Sequence, residues 1–166
     1  MYRLSAPSYR WWLKGKHEGR VEIYREVQRS LAHSEFVKAR TKKWRQISWV
    51  ASDPVKTRRM LFDHGERLAR SIGAALGLEL VQSPFERRPF FAGQKDLRRS
   101  DRSLVMKRLL DWRKNADPEL YRECLFIDDL LTTGETLKSH ALILQDQGLR
   151  ADFLCLFRTP AGGIDV

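Results

Sequence analysis

Cysteine is scarce. The 166-residue chain has two, Cys124 and Cys155, each inside an apolar run and without the paired spacing of a zinc site. Both are expected as buried free thiols. Histidine is no more suggestive, since His17, His33, His64 and His140 are scattered, so a preformed transition-metal centre is not expected. No stretch approaches the roughly 20 apolar residues of a membrane span. The segment Met1 to Trp12 lacks the apolar run and small-residue cleavage site of a signal peptide. These absences point to a cytoplasmic protein with no membrane contact. A Gly-x-x-x-x-Gly-Lys-Ser/Thr loop is also missing, because Gly15-Lys16-His17 lacks both the upstream glycine and the hydroxyl residue. Repeats, linkers and low-complexity tracts are absent.

What is present fits one domain. With 42% apolar and 10% aromatic residues, 166 residues suffice for a single core and are too few for two comfortable ones. The reading is one domain over residues 1–166, with a helical N-terminal region 1–45 packed on an α/β core 46–160. Lysine and arginine number 31 against 21 acids, a net charge of +10. That balance favours a polyanionic partner, and nucleic acid and phosphorylated small molecules both qualify.

Periodicity sets the order of elements. Val27, Leu31 and Phe36 lie at nearly helical spacing within a charged stretch from about Val21 to Lys43. Ile47 to Ala51 reads as a buried strand, residues 52–59 as a basic loop, and Phe62 to Leu76 as a helix capped by Gly77. Leu78 to Val81 completes a first βαβ unit, whose crossover length requires a parallel pair. Pro84, Pro89 and Gly93 make 85–103 a basic surface loop leading to a helix near Leu104 to Trp112, with a polar connection over 115–122. A second unit follows: strand Cys124 to Ile127, turn 128–133, helix Gly134 to Gln147 with Leu137, Ala141 and Leu144 on one face, and strand Asp152 to Phe157. Alternating strands and helices predict an open, mostly parallel α/β sheet flanked by helices, with ligands outside the carboxyl ends of its strands. Both candidate loops, 52–59 and 128–136, lie at that edge.

The chemistry concentrates in Cys124-Leu-Phe-Ile-Asp-Asp-Leu-Leu-Thr-Thr-Gly-Glu-Thr136. Ionised carboxylates only accept hydrogen bonds, so Asp128 and Asp129 suit the vicinal hydroxyls of a ribose. Thr132, Thr133, Gly134, Glu135 and Thr136 open a helix whose first amides lack intrahelical partners and favour a monophosphate. The plainer readings are an aspartate that caps a turn and a threonine N-cap. Two acids after an apolar strand could also end a Walker B strand or line a response-regulator pocket. The missing Walker A loop opposes the former, and Thr-Thr-Gly-x-Thr is not needed by the latter.

This segment resembles the phosphoribosyl-pyrophosphate (PRPP) loop of type I phosphoribosyltransferases. The wider chain is most similar to their ComF-like (competence-protein) branch, through Ala51-Ser-Asp-Pro54, Lys56-Thr-Arg-Arg59, Leu61-Phe-Asp-His64 and the Arg88, Gln94, Leu97, Arg102 pattern. The resemblance implies that Asp128 and Asp129 hold the ribose hydroxyls of PRPP and that residues 132–136, with Leu130 beside them, wrap its 5′-phosphate. It implies Mg²⁺ carried mainly by pyrophosphate and ribose oxygens, with no protein metal ligands. In purine-salvage members a carboxylate stands where this chain has Thr132, which speaks against hypoxanthine or guanine as acceptor.

The expected activity is transfer of the phosphoribosyl group to an unidentified nucleophile with loss of pyrophosphate. Lys56, Arg58 and Arg59 are candidates to neutralise the leaving group, Arg59 together with Asp128 and Asp129 forming the catalytic set, and Arg88 and Arg102 to close over the site. A different class stays open: a non-catalytic nucleic-acid-binding or regulatory protein of the DNA-uptake kind that retains the fold. Tyr9, Trp11, Trp12 and Trp44 among Lys14, Lys16, Lys38, Arg40, Lys42 and Lys43 would then stack and track a single strand. The plainer reading of those tryptophans is core packing. A homodimer is compatible with the sequence, which leaves the oligomeric state and the acceptor undefined.

Overall fold

A computed structural model describes residues 6–35, 39, 41–89, 109–150 and 152–158. Its elements are α1 (Ala6–Glu18), α2 (Val21–Ala32), β1 (Gln46–Trp49), α3 (Pro54–Met60), α4 (His64–Leu76), β2 (Glu79–Leu80), β3 (Phe85–Arg87), β4 (Leu110–Trp112), a 3₁₀ turn (Pro118–Tyr121), β5 (Cys124–Leu131), α5 (Glu135–Asp146) and β6 (Asp152–Arg158). Four strands form one parallel sheet in the order β2-β1-β5-β6. β3 and β4 pair antiparallel beside it. The expected α/β class, with a parallel sheet flanked by helices, is the observed one.

β5 is central because its apolar run can be buried on both faces, as parallel strands require. Leu125 and Ile127 face a core layer with Trp12, Ile23, Tyr24, Leu68 and Ile72, from α1, α2 and α4. Cys124 and Phe126 face the opposite layer, with Phe85, Leu110, Tyr121 and Leu144. Burying each of Leu125, Phe126 and Ile127 contributes roughly 1.5 to 3 kcal/mol. The chain leaves β1 toward β2 on one side and leaves β5 toward β6 on the other. The gap between the carboxyl ends of β1 and β5 is therefore the topological switch point, where sheets of this kind open a crevice.

Several expectations are corrected. Within the helical stretch expected from about Val21 to Lys43, α2 ends at Ala32 and Glu35, Ala39 and Thr41 are again helical, while the Tyr9-to-Lys16 stretch before it is itself helical. The basic loop 52–59 is largely helix α3, started by Asp53, whose carboxylate accepts from Val55 N, and by Pro54 in the first turn. β5 runs through both acids to Leu131 because β6 extends far enough to pair with it, so the turn is shorter than 128–133. The loop expected at 85–103 begins as strand β3, and Leu110–Trp112, expected as the end of a helix, is strand β4. On α5 Leu144 of the expected Leu137, Ala141, Leu144 face is buried and the other two are half-buried, while Ser139 and His140 are buried as well. Phe36, Lys38, Arg40, Gln94, Leu97 and Arg102 lie outside the described residues. Among the described residues no helix is long and apolar enough to cross a membrane.

Candidate active site

The carboxyl ends of β1 and β5 open into a cavity of about 290 Å³. Asp128, Asp129 and Leu130 line it from β5, Thr136 from the first turn of α5, and Lys56, Thr57 and Met60 from α3. Lys16, His64 and Arg87 come from three further elements. The structure thus brings together Asp128, Asp129, Leu130, Thr136 and Lys56 from the sequence-derived set.

The two acids are adjacent but differently placed. Alternation along a strand sends successive side chains to opposite faces, and Asp129 falls on the face covered by α1 and α4. Its Oδ2 accepts from Lys16 Nζ at 2.5 Å and from Trp12 Nε1 at 3.3 Å, and His64 Nε2 stands 3.5 Å away. Burial alone would raise the Asp129 pKa, but His64 and Lys16 outweigh it and hold the group below the usual carboxylate range. Asp128 is shifted the other way: burial first, then the charge of Asp129, push its pKa up, against a bond from Asp129 N to Oδ1 at 2.9 Å. The pair is one firmly ionised acid beside one that holds its proton more readily.

His64 belongs to the same network. Tyr24 Oη lies 2.6 Å from Nδ1, and burial raises the tyrosine pKa to about 12, so the phenol keeps its proton. With Tyr24 donating to Nδ1 the ring proton sits on Nε2, a buried atom without a hydrogen-bond partner that stands 3.5 Å from Asp129 Oδ2. Burial, aided by Lys16 and opposed by Asp129, lowers the His64 pKa.

His140 braces the two sides of the cavity. Ala51 N donates to its Nε2 at 3.0 Å, and its Nδ1 lies 2.7 Å from Thr136 O, so a neutral ring protonated on Nδ1 links the end of β1 to the first turn of α5. Burial lowers its pKa from 6.5 to about 4. Asp63 plays a comparable part below: Oδ1 accepts from Ser52 Oγ at 2.6 Å and Gly65 N at 2.8 Å, and Oδ2 from Trp49 Nε1 at 3.1 Å. It caps α4 and ties that helix to β1.

Helix α5 starts at Gly134, whose φ of 79° lies in the left-handed region that suits glycine. No side chain caps this end, which disposes of the threonine N-cap reading and leaves first-turn amides without a side-chain acceptor. Glu135 turns along the helix to Lys138 Nζ at 3.0 Å. Thr132 and Thr133 are exposed in the turn, and neither they nor Gly134 and Glu135 line the cavity.

The remaining basic candidates separate. At about 100° per residue, Lys56, Thr57 and Met60 share the inward side of α3, while Arg58 and Arg59 are exposed and outside this cavity. Arg58 lines a neighbouring cavity of about 410 Å³ together with Arg87 and Arg113. Arg88 pairs with Asp111 at 2.9 Å, well exposed, while its strand neighbour Arg87 turns inward. Burial lowers the Arg87 pKa, opposed by Asp53.

Sequence reasoning did not place Lys16, His64, Arg87 or His140 in this site. Lys16 and Asp129 are 113 positions apart, so no spacing could have joined them. Arg87 is distinguished from Arg88 only once β3 is known, because alternation from buried Phe85 turns it inward. The N-terminal tryptophans divide: Trp12 is core, Trp44 donates to Asp152 Oδ2 at 3.0 Å with Lys43 over its ring, and Trp11 is exposed. Among the described residues no cluster of His, Cys, Asp or Glu could by itself hold a metal ion.

No protein-family model and no curated protein matches the chain. Among solved structures it is similar to a hypoxanthine phosphoribosyltransferase from Staphylococcus aureus, at 16% identity and a TM-score of 0.43, over 86% of this chain and 69% of that one. A likeness so loose assigns no role to any residue.

Proposed function

We propose that the protein binds PRPP and transfers its phosphoribosyl group to a nucleophile, releasing pyrophosphate. The observation that carries this reading is the convergence, at one switch-point crevice, of the Asp128–Asp129 strand end, the first turn of α5 and Lys56. The motif residues that suggest the ComF-like branch are part of the same proposal.

The acids accept the ribose hydroxyls, and the Gly134 turn offers amides and the Thr132, Thr133 and Thr136 hydroxyls to the 5′-phosphate. In the transfer, the bond from C1 to the pyrophosphate oxygen breaks and its electron pair leaves with pyrophosphate. A lone pair of the acceptor forms the new bond to C1, and the acceptor's proton passes to solvent. Charge grows on the leaving group, so cations on the crevice wall favour the transition state over the ground state. Lys56 and Arg87, which line the crevice, are the cations proposed for this role, and Arg58 lines the adjoining cavity. Mg²⁺, a hard cation, would be carried by the oxygens of the pyrophosphate and ribose, with the acids left to the ribose hydroxyls. When bound, Mg²⁺ would neutralise pyrophosphate charge.

The test is to incubate the protein with PRPP, Mg²⁺ and a panel of bases and amines, following pyrophosphate release and identifying products. Release that depends on one acceptor, and is lost in Asp128→Asn/Asp129→Asn, is expected. No release with any acceptor beyond the spontaneous rate would refute transfer.

A further inference from the structure

We propose that Lys16 is a substrate-binding residue, whose ammonium, held by Asp129 in the crevice, takes an anionic group of the sugar phosphate whose hydroxyl binds that same acid. The inference rests on the phosphoribosyl reading of the crevice and assigns a role in it to a helix outside the α/β core.

Three observations fix the ammonium in place. Lys16 lines the crevice, and its Nζ lies 2.5 Å from Asp129 Oδ2. Trp12, one helical turn earlier on the same face of α1, is buried and donates to the same oxygen at 3.3 Å. Gly15 lets α1 close on α2, since a Cβ there would run into the Ile23 side chain. The lysine is therefore held on a packed helix rather than carried on a free arm.

Chemistry then points to the ligand. An ammonium has three donors, and Asp129 uses one. The Lys16 side chain is 26% exposed against 13% for Asp129, so the cation faces the crevice more openly than the acid beneath it. Oδ2 already accepts from Lys16 and Trp12, so a hydroxyl bound to the same carboxylate stands about two hydrogen-bond lengths, roughly 4 to 6 Å, from Nζ. The phosphate or pyrophosphate of that sugar is then within reach of the same cation. The other crevice cations stand elsewhere: Lys56 is exposed on α3, and Arg87 comes from β3 with Asp53 as a charged neighbour.

A merely structural pin would hold α1 and do nothing for the ligand, and calorimetric titration separates the two. PRPP with Mg²⁺ is titrated into wild type, Lys16→Met, Lys16→Arg and, as a matched loss of surface charge, Lys114→Met, each first checked for folding by circular dichroism. Loss of one charge-assisted contact predicts about 10- to 100-fold weaker binding in Lys16→Met, with partial recovery in Lys16→Arg and no change in Lys114→Met. A folded Lys16→Met that binds within about twofold of wild type overturns the proposal while leaving the PRPP site intact. Wild type that does not bind PRPP overturns both. Should Lys16→Met not fold, the Lys16 ¹⁵Nζ resonance of wild type is followed during the PRPP titration: a shift at saturation supports the proposal, and an unmoved resonance overturns it.

Discussion

The segment 124–136 and helix α1 meet at Asp129, yet they reach the crevice by opposite routes. In 124–136, one short stretch supplies the strand, the acids, the turn and the helix start, so function is written locally. Helix α1 contributes through Trp12 and Lys16, which are meaningful only after the chain has folded back by more than a hundred residues. The local segment shows what kind of ligand to expect. Lys16 of the distant helix, together with His64 of α4, holds Asp129 ionised and is the cation that stands beside it.

Substitutions at the two acids break this comparison most sharply. Asp129→Asn removes the charge that Lys16 and Trp12 share and is expected to cost roughly 1.5 to 3 kcal/mol of stability in urea denaturation. Asp128→Asn is expected to be neutral or mildly stabilising at pH 7, because the fold disfavours the ionised form of that acid. The sign follows from linkage. Asp128, with its pKa raised, contributes stability below its unfolded value, lost as pH rises through the folded one; Asp129, with its pKa lowered, contributes above its unfolded value, lost as pH falls. Stability against pH in the two variants should therefore change in opposite senses.

Next in size is His140, which links the two walls without touching α1. His140→Ala leaves Ala51 N–H and the Thr136 carbonyl without their partner and is expected to cost roughly 1 to 3 kcal/mol. Because the folded pKa of about 4 lies below 6.5, wild type should lose stability as pH falls through that interval. His140→Gln should flatten this loss, as chemical denaturation at pH 7, 5.5 and 4.5 would show. Gly134→Ala is expected to cost about 1 to 2 kcal/mol through its left-handed backbone, with weaker phosphate binding and Lys16 contacts unchanged. The smallest effects belong to Arg59→Ala and Arg88→Ala, expected within about 0.5 kcal/mol of wild type in stability. PRPP affinity should fall more in Lys56→Met than in either, because only Lys56 lines the crevice.

The sequence carried the α/β class, both βαβ units and the strand–turn–helix of 124–136, because short-range periodicity and turn chemistry encode them. The Asp53-Pro54 helix start was also there to be read, hidden by the density of lysine and arginine that follows. Strands β3 and β4 were not legible, since three-residue strands in a Pro- and Arg-rich context give no period to count. Nor was the buried histidine of α5, whose place depends on the Ala51 amide just past β1, 89 positions away. The split between Asp128 and Asp129 needed the strand to run on through both residues, and it does so only because β6 lies alongside.

The most direct measurement is the thermal unfolding midpoint with and without saturating PRPP and Mg²⁺, in wild type and in Asp128→Asn/Asp129→Asn. At 100 times its dissociation constant a ligand adds roughly 2.7 kcal/mol, or about 5 to 10 °C for a chain of this size. That rise in wild type and its loss in the double variant are the expected result. No rise in wild type, or an equal rise in both proteins, would contradict the account.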